Sequence, residues 1–114
     1  MAADPTQALI AKTIADNDVV LFMKGTKQFP QCGFSATATK ILDTLGVPFK
    51  DVNVLDDAAV RDGIKAFSNW PTIPQLYVKG EFVRGCDIMK EMYTAGELHN
   101  LICEKGITHA HHHG

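Results

Sequence analysis

The chain has too little cysteine to be built on disulfides: Cys32, Cys86 and Cys103 are three in 114 residues, odd in number and far apart. Small secreted scaffolds carry dense, paired cysteines, so this sparse set fits a reducing compartment better. Charge of one sign is lacking too. Lys and Arg number 11 against 13 Asp and Glu, a formal net charge of −2, which gives no electrostatic footprint for nucleic acid or an anionic membrane. No apolar run approaches the roughly 20 residues that span a bilayer. The start, Met1-Ala2-Ala3-Asp4-Pro5, has neither the basic and apolar stretches of a signal peptide nor the Arg-rich character of a transit peptide. The expected location is cytoplasmic, with an organelle matrix as the alternative for a chain written without its transit peptide.

What is present is ordinary globular material, 46% hydrophobic and 21% charged, enough for one domain with its own core. That domain is expected over residues 1–107. Residues 108–114, with four histidines, are compositionally foreign and are read as a tail, disordered or tag-derived. They can capture nickel or zinc and are set apart from the site.

Asp4-Pro5 marks a helix start, N-cap then Pro at the first helical position, with Leu9, Ile10 and Ile14 as its buried side. Val19 to Met23 is a short apolar run bounded by polar residues, a buried central strand. A polar loop, Gly25 to Gln31, leads to Cys32. Beyond it Phe34, Ala38, Ile41, Leu42 and Leu45 fall at helical spacing, closed by Gly46-Val47-Pro48. Phe49 to Val54 reads as a second strand with Phe49, Val52 and Val54 buried. Asp56 or Asp57 caps a third helix that buries Val60, Ile64 and Phe67. Two strand fragments flank Lys79-Gly80, a hairpin signal, and two helices close the chain. The order αβαβαββαα implies one small mixed sheet with helices on both faces.

Cys32 stands where the loop after the first strand enters a helix. Unpaired N–H groups and the positive end of the helix dipole there favour a thiolate, and Lys24 can return toward the same spot. Ser35 occupies the position where a dithiol motif has its second cysteine, so no disulfide closes within this turn. Asn69-Trp70-Pro71-Thr72-Ile73-Pro74 reads as a rigid turn before a strand, with Pro74 a candidate for a cis peptide bond that would offer free backbone groups to an extended ligand. Asp87 is either a helix cap or a carboxylate for a cationic amine. Arg61 and Lys65 lie one turn apart, on a face that is either solvated or an anchor for carboxylates. Cys103 belongs to no visible constellation.

Together Phe22-Met23-Lys24-Gly25-Thr26, Pro30-Gln31-Cys32-Gly33-Phe34-Ser35, Gly63-Ile64-Lys65, Ser68 through Tyr77 and Gly85-Cys86-Asp87 resemble the monothiol glutaredoxins of the CGFS type, from about residue 5 to residue 105. The resemblance implies an α/β, thioredoxin-like three-layer sandwich: a four-stranded mixed sheet flanked by about five helices. It implies glutathione in a groove beside Cys32, its carboxylates held by Lys24, Arg61 and Lys65. Ile73 would pair with its backbone, and Cys86 and Asp87 would fix its γ-glutamyl end. It further implies a [2Fe–2S] cluster bound through Cys32 in a homodimer, roles in cluster transfer and iron homeostasis, and BolA-like and iron–sulfur acceptor partners. Thiol counting agrees. Such a cluster ordinarily takes four thiolates, and two copies of Cys32 plus two glutathione thiols supply them. The alternative is a glutathione-dependent oxidoreductase that reduces mixed disulfides through Cys32, with Cys86 as an auxiliary thiol under oxidation. One departure stands out: members often have Gly where this chain has Arg84.

Overall fold

The computed structural model describes residues 4–107; the expectation for the His-rich tail lies outside them. In chain order the elements are α1 (Pro5–Asp16), β1 (Val19–Met23), α2 (Gly33–Leu45), β2 (Lys50–Asn53), α3 (Ala58–Ser68), β3 (Gln75–Val78), β4 (Glu81–Arg84), α4 (Cys86–Ala95) and α5 (Glu97–Glu104). The sheet order is β2-β1-β3-β4, with β1 parallel to β2 and antiparallel to β3, and β4 antiparallel to β3. This is the thioredoxin-like fold that the element order implied. Among the described residues no helix is long and apolar enough to cross a membrane.

Every residue of β1 is buried, because a central strand covered on both faces sends alternate side chains into two cores. Val19, Leu21 and Met23 join Ala38 and Leu42 of α2, Met89 of α4, and Leu98 and Ile102 of α5. Val20 and Phe22 join Ile10 and Ile14 of α1, Val60 and Ile64 of α3, and Tyr77 of β3. Fully burying a Val, Leu, Ile, Phe or Met side chain in these cores stabilises the fold by roughly 1.5–3 kcal/mol. Local signals set the boundaries. The Asp4 carboxylate accepts the Thr6 N–H at 2.9 Å. At α3 the cap is Asp57, whose Oδ1 accepts from Ala59 at 2.9 Å and Val60 at 3.4 Å. Gly46 closes α2 in the left-handed region. Lys79 and Gly80 both have positive φ, as a two-residue type I′ hairpin turn requires.

Three apolar positions, Leu9, Val52 and Phe67, differ from expectation, and Phe34, at the same helical spacing as the α2 core, is exposed as well. Leu9 is 53% exposed, Phe34 63% and Phe67 39%, and Val52 is only half-buried. On α1 the buried residues are Ile10 and Ile14, a stripe too narrow to include Leu9, about 100° round the helix from Ile10. Phe34 and Phe67 lie in terminal turns of their helices. Phe67 makes an edge contact with Tyr77 of β3, with ring centroids 6.0 Å apart. Val52 lies on β2, an edge strand.

Strand polarity gathers the chemistry at one end of the sheet. β1 ends beside the start of β3, where Phe22 faces Gln75. The end of β4 lies opposite the same start, where Arg84 faces Leu76. The loop into Cys32, the turn around Pro74 and the Gly85 entry to α4 therefore converge.

Candidate functional site

A groove of about 450 Å³ opens at this end, lined by Lys24, Cys32, Phe34, Lys65, the Trp70–Pro74 turn, and Gly85 through Ile88. Of the residues singled out in the sequence it brings together Lys24, Cys32, Lys65, Ile73, Cys86 and Asp87. Arg61 is not among the lining residues; its Nε lies 3.6 Å from the Asp62 carboxylate. Cys103 is on α5, exposed, with its sulfur 3.9 Å from His99 Nε2.

Cys32 is the N-cap of α2, with extended backbone. Its thiol is pushed below its ordinary value, chiefly by the nearby Ser35 backbone N–H at the start of α2, although no capping hydrogen bond to the sulfur forms. The Phe34 N–H, the Lys24 charge and the Ser35 hydroxyl add to this, against an opposing desolvation. Ser35 is fully buried, and its Oγ accepts the Lys24 N–H at 3.0 Å. It thus ties the strand end to the helix start around the sulfur. The sequence reading registered Ser35 only as an absent cysteine.

The loop before Cys32 is closed on itself. Gln31 N–H donates to the Lys24 carbonyl at 2.9 Å, and Thr26 and Phe29 exchange backbone hydrogen bonds. Gly25 has φ +89°, and a Cβ there would collide with the Phe29 carbonyl and come within 2.6 Å of Gln31 N, so only glycine fits.

The opposite wall is the turn before β3. The Ile73–Pro74 peptide bond is cis, as the sequence suggested. Among the described residues the Ile73 N–H and C=O make no backbone hydrogen bond, which leaves an edge for an extended ligand. Gln75, fully buried, holds the turn in place: its Nε2 donates to the carbonyls of Trp70 and Thr72, both at 3.1 Å, and its Oε1 accepts the Tyr77 hydroxyl at 3.3 Å. No periodicity marks such a residue.

At the third wall Cys86 and Asp87 open α4 behind Gly85. Burial pushes the Cys86 thiol up; Lys90 opposes this, while the Asp87 and Cys32 charges reinforce it. The two thiols are thus shifted in opposite directions, Cys32 down and Cys86 up. Arg84, just before, holds φ +87° and lays its guanidinium 5.7 Å from the Trp70 ring centroid. The set suits an anionic thiol peptide: cations, a free backbone edge, a helix start and a low-pKa sulfur.

Relatives of known sequence and structure agree with this geometry. The glutaredoxin family model matches residues 19–83. A Rickettsia typhi protein named "Probable monothiol glutaredoxin 2" is 57% identical over 93 residues, covering 82% of this chain and 84% of its own. The solution structure of reduced poplar apo GrxS14 superposes with a TM-score of 0.78 at 49% identity, over 87% of this chain and 91% of the other. A buckwheat glutaredoxin–glutathione complex shares the fold, with TM-score 0.79 at 21% identity, over 90% and 91% of the two chains. With a thiol at the start of α2, a serine in place of its partner and these relatives, the chain belongs to the glutaredoxin family, among its monothiol members.

Proposed function

We propose that this monothiol glutaredoxin binds glutathione in the groove and carries a [2Fe–2S] cluster bridged between two protomers, for cluster assembly, transfer and iron homeostasis. The observation that carries the reading is the thiol inventory: one low-pKa sulfur, Cys32, at the groove mouth, with Ser35 where a second would stand. Four thiolates are ordinarily required. Among the described residues no group of three or more His, Cys, Asp or Glu could hold a metal, and Cys86 is buried with a raised pKa. Two copies of Cys32 and two glutathione thiols complete the set, so the cargo requires a homodimer.

The residues singled out in the sequence then have roles. Lys24 and Lys65 face the glutathione carboxylates, where charge-assisted contacts contribute on the order of 1.5–3 kcal/mol before screening. Arg61, one turn before Lys65, joins them only by leaving Asp62. Ile73 offers its backbone edge, and Cys86 and Asp87 receive the γ-glutamyl end. The fold is one that takes glutathione in the buckwheat neighbour. BolA-like and iron–sulfur acceptor proteins are the proposed partners, in a cytoplasmic or organelle-matrix setting.

The lowered Cys32 pKa also favours a second reading, glutathione-dependent disulfide reduction. The Cys32 thiolate attacks the glutathionyl sulfur of a mixed disulfide, forming Cys32–S–S–glutathione and expelling the target thiolate, which takes up a proton. A second glutathione thiolate then releases Cys32 and leaves as glutathione disulfide. A carrier is slow in this assay and an oxidoreductase fast.

The deciding experiment is anaerobic reconstitution with dithiothreitol alone or with glutathione added, followed by gel filtration. The carrier reading expects a coloured dimer only with glutathione, lost in Cys32→Ser and kept in Cys103→Ser. An equal yield of cluster-loaded dimer without glutathione would overturn it.

A further inference from the structure

We propose that Arg84, at the rim of the groove, is a subsite for a carboxylate on the polypeptide half of a glutathione adduct: an acidic segment of a client protein joined to glutathione. The proposal deepens the glutathione reading and rests on it. Two lysines, Lys24 and Lys65, and one carboxylate, Asp87, are the charged residues of the groove lining. Glutathione carries two carboxylates and one ammonium, so these charges match it one for one. Arg84 is a further cation that this match leaves over. It directly precedes Gly85 of the lining, is exposed, and among the described residues takes part in no ion pair.

Trp70 holds this cation in place. The Arg84 guanidinium lies over the indole, 5.7 Å from the ring centroid, which orients a planar donor fork and leaves its N–H groups for a carboxylate. The indole has little freedom of its own. It meets Phe82 edge-on with centroids 6.3 Å apart, and Phe82 stacks on Tyr77 at 5.1 Å. Its buried Nε1 lies 3.4 Å from where a Cβ on Gly85 would stand. The Arg84 backbone sits at φ +87°, a region costly for any residue with a Cβ. Strain of this kind collects at binding sites, where it is part of the mechanism. Trp70 and Gly85 both line the groove, so the guanidinium stands at the edge of the same cavity. The whole chain has a net charge of −2, yet the groove and its rim set Lys24, Lys65 and Arg84 against Asp87. That balance favours acidic segments and repels basic ones.

The test uses two conjugates that cannot exchange thiols. In each the glutathione sulfur is alkylated by an acetyl group, which carries Asp-Glu-Asp-amide in one and Asn-Gln-Asn-amide in the other. S-methylglutathione is the reference. Calorimetry gives the Kd of all three for wild type, Arg84→Gly, Arg84→Lys and Arg84→Glu at about 50 mM salt. Wild type should prefer the acidic conjugate, and Arg84→Gly should cut that preference about threefold, as expected for one well-oriented exposed ion pair. Arg84→Lys keeps the charge without the planar fork and should fall between, while Arg84→Glu should fall below Arg84→Gly. At about 0.5 M salt the preference should shrink in every protein. S-methylglutathione should bind wild type and Arg84→Gly alike. Equal acidic-to-neutral ratios in wild type, Arg84→Gly and Arg84→Glu would overturn the proposal. So would a loss of S-methylglutathione affinity in Arg84→Gly as large as the loss for the acidic conjugate, because Arg84 would then serve glutathione itself. Wild type that binds S-methylglutathione and neither conjugate would overturn it as well, with the glutathione reading intact. Wild type that binds none of the three would sink the glutathione reading and this proposal together.

Discussion

Ser35→Ala removes one oxygen from the site and tests how the thiolate is held. In the native protein that oxygen accepts the Lys24 N–H at 3.0 Å, and the Ser35 hydroxyl is the smallest of the causes that lower the Cys32 pKa. The alanine variant keeps the Ser35-position backbone N–H, the largest cause of the lowered Cys32 pKa, and loses the smallest, the side-chain donor. A modest hydrogen bond contributes about 0.5–1.5 kcal/mol, a factor of roughly 2–10 in thiolate population below the thiol pKa. The lower part of that range applies, so alkylation of Cys32 near neutral pH should slow about threefold, with its profile moved to higher pH. The orphaned Lys24 N–H adds a stability loss of about 1–2 kcal/mol, or roughly 5–10 °C in Tm for a domain of this size. Rate profiles come from mass spectrometry of the Cys32 peptide and Tm from calorimetry. A Ser35→Ala profile that superposes on wild type would refute the hydrogen-bond account of the thiolate.

Three further outcomes follow from the same structure. Arg84→Gly should stabilise the fold slightly, by about 0.5 kcal/mol: relief of the φ +87° backbone, worth ~1 kcal/mol, outweighs the lost contact with Trp70, worth ~0.5 kcal/mol at an exposed site; a fall in Tm by denaturation would contradict this. Gln75→Met leaves the Trp70 and Thr72 carbonyls and the Tyr77 hydroxyl without their partner and should cost about 3 kcal/mol in urea unfolding, together with weaker glutathione binding; unchanged stability would remove Gln75 as the holder of the turn. Burial pushes the Tyr77 hydroxyl from 10.0 up to about 12. Its contribution is present below pH 10 and lost as pH rises toward 12, because the unfolded chain ionises first. Tyr77→Phe should therefore flatten the alkaline fall in Tm, and an unchanged slope would assign that fall to other groups.

How far the sequence reveals the molecule depends on what each residue answers to. β1 was legible because a central strand must be apolar throughout, and α2 because Gly46 and Pro48 stop it chemically. The Lys79-Gly80 turn and the Pro74 cis bond were legible because few residue types serve there. Phe34 shares the helical spacing of the α2 core residues yet is exposed, because spacing cannot tell a terminal turn from an interior one. Leu9 failed because stripe width is set by the neighbouring α3, which the α1 sequence does not contain. The groove's lysines, Ile73 and the Cys86–Asp87 entry stood at motif positions and do line one cavity. Ser35 and Gln75 were invisible as functional residues. Their work is hydrogen bonding to strand-end and turn backbone, and polar singletons of that kind leave no periodic trace.

The most direct test of the central claim, that this groove is a glutathione site built around Cys32, is titration of reduced glutathione into reduced, 15N-labelled protein. The account predicts shifted amides at Ile73, Cys86 and Asp87 and around Lys24, Cys32 and Ser35, with the α5 amides near Cys103 unmoved. Shifts centred on α1 or α5, or no shifts at millimolar glutathione, would contradict it.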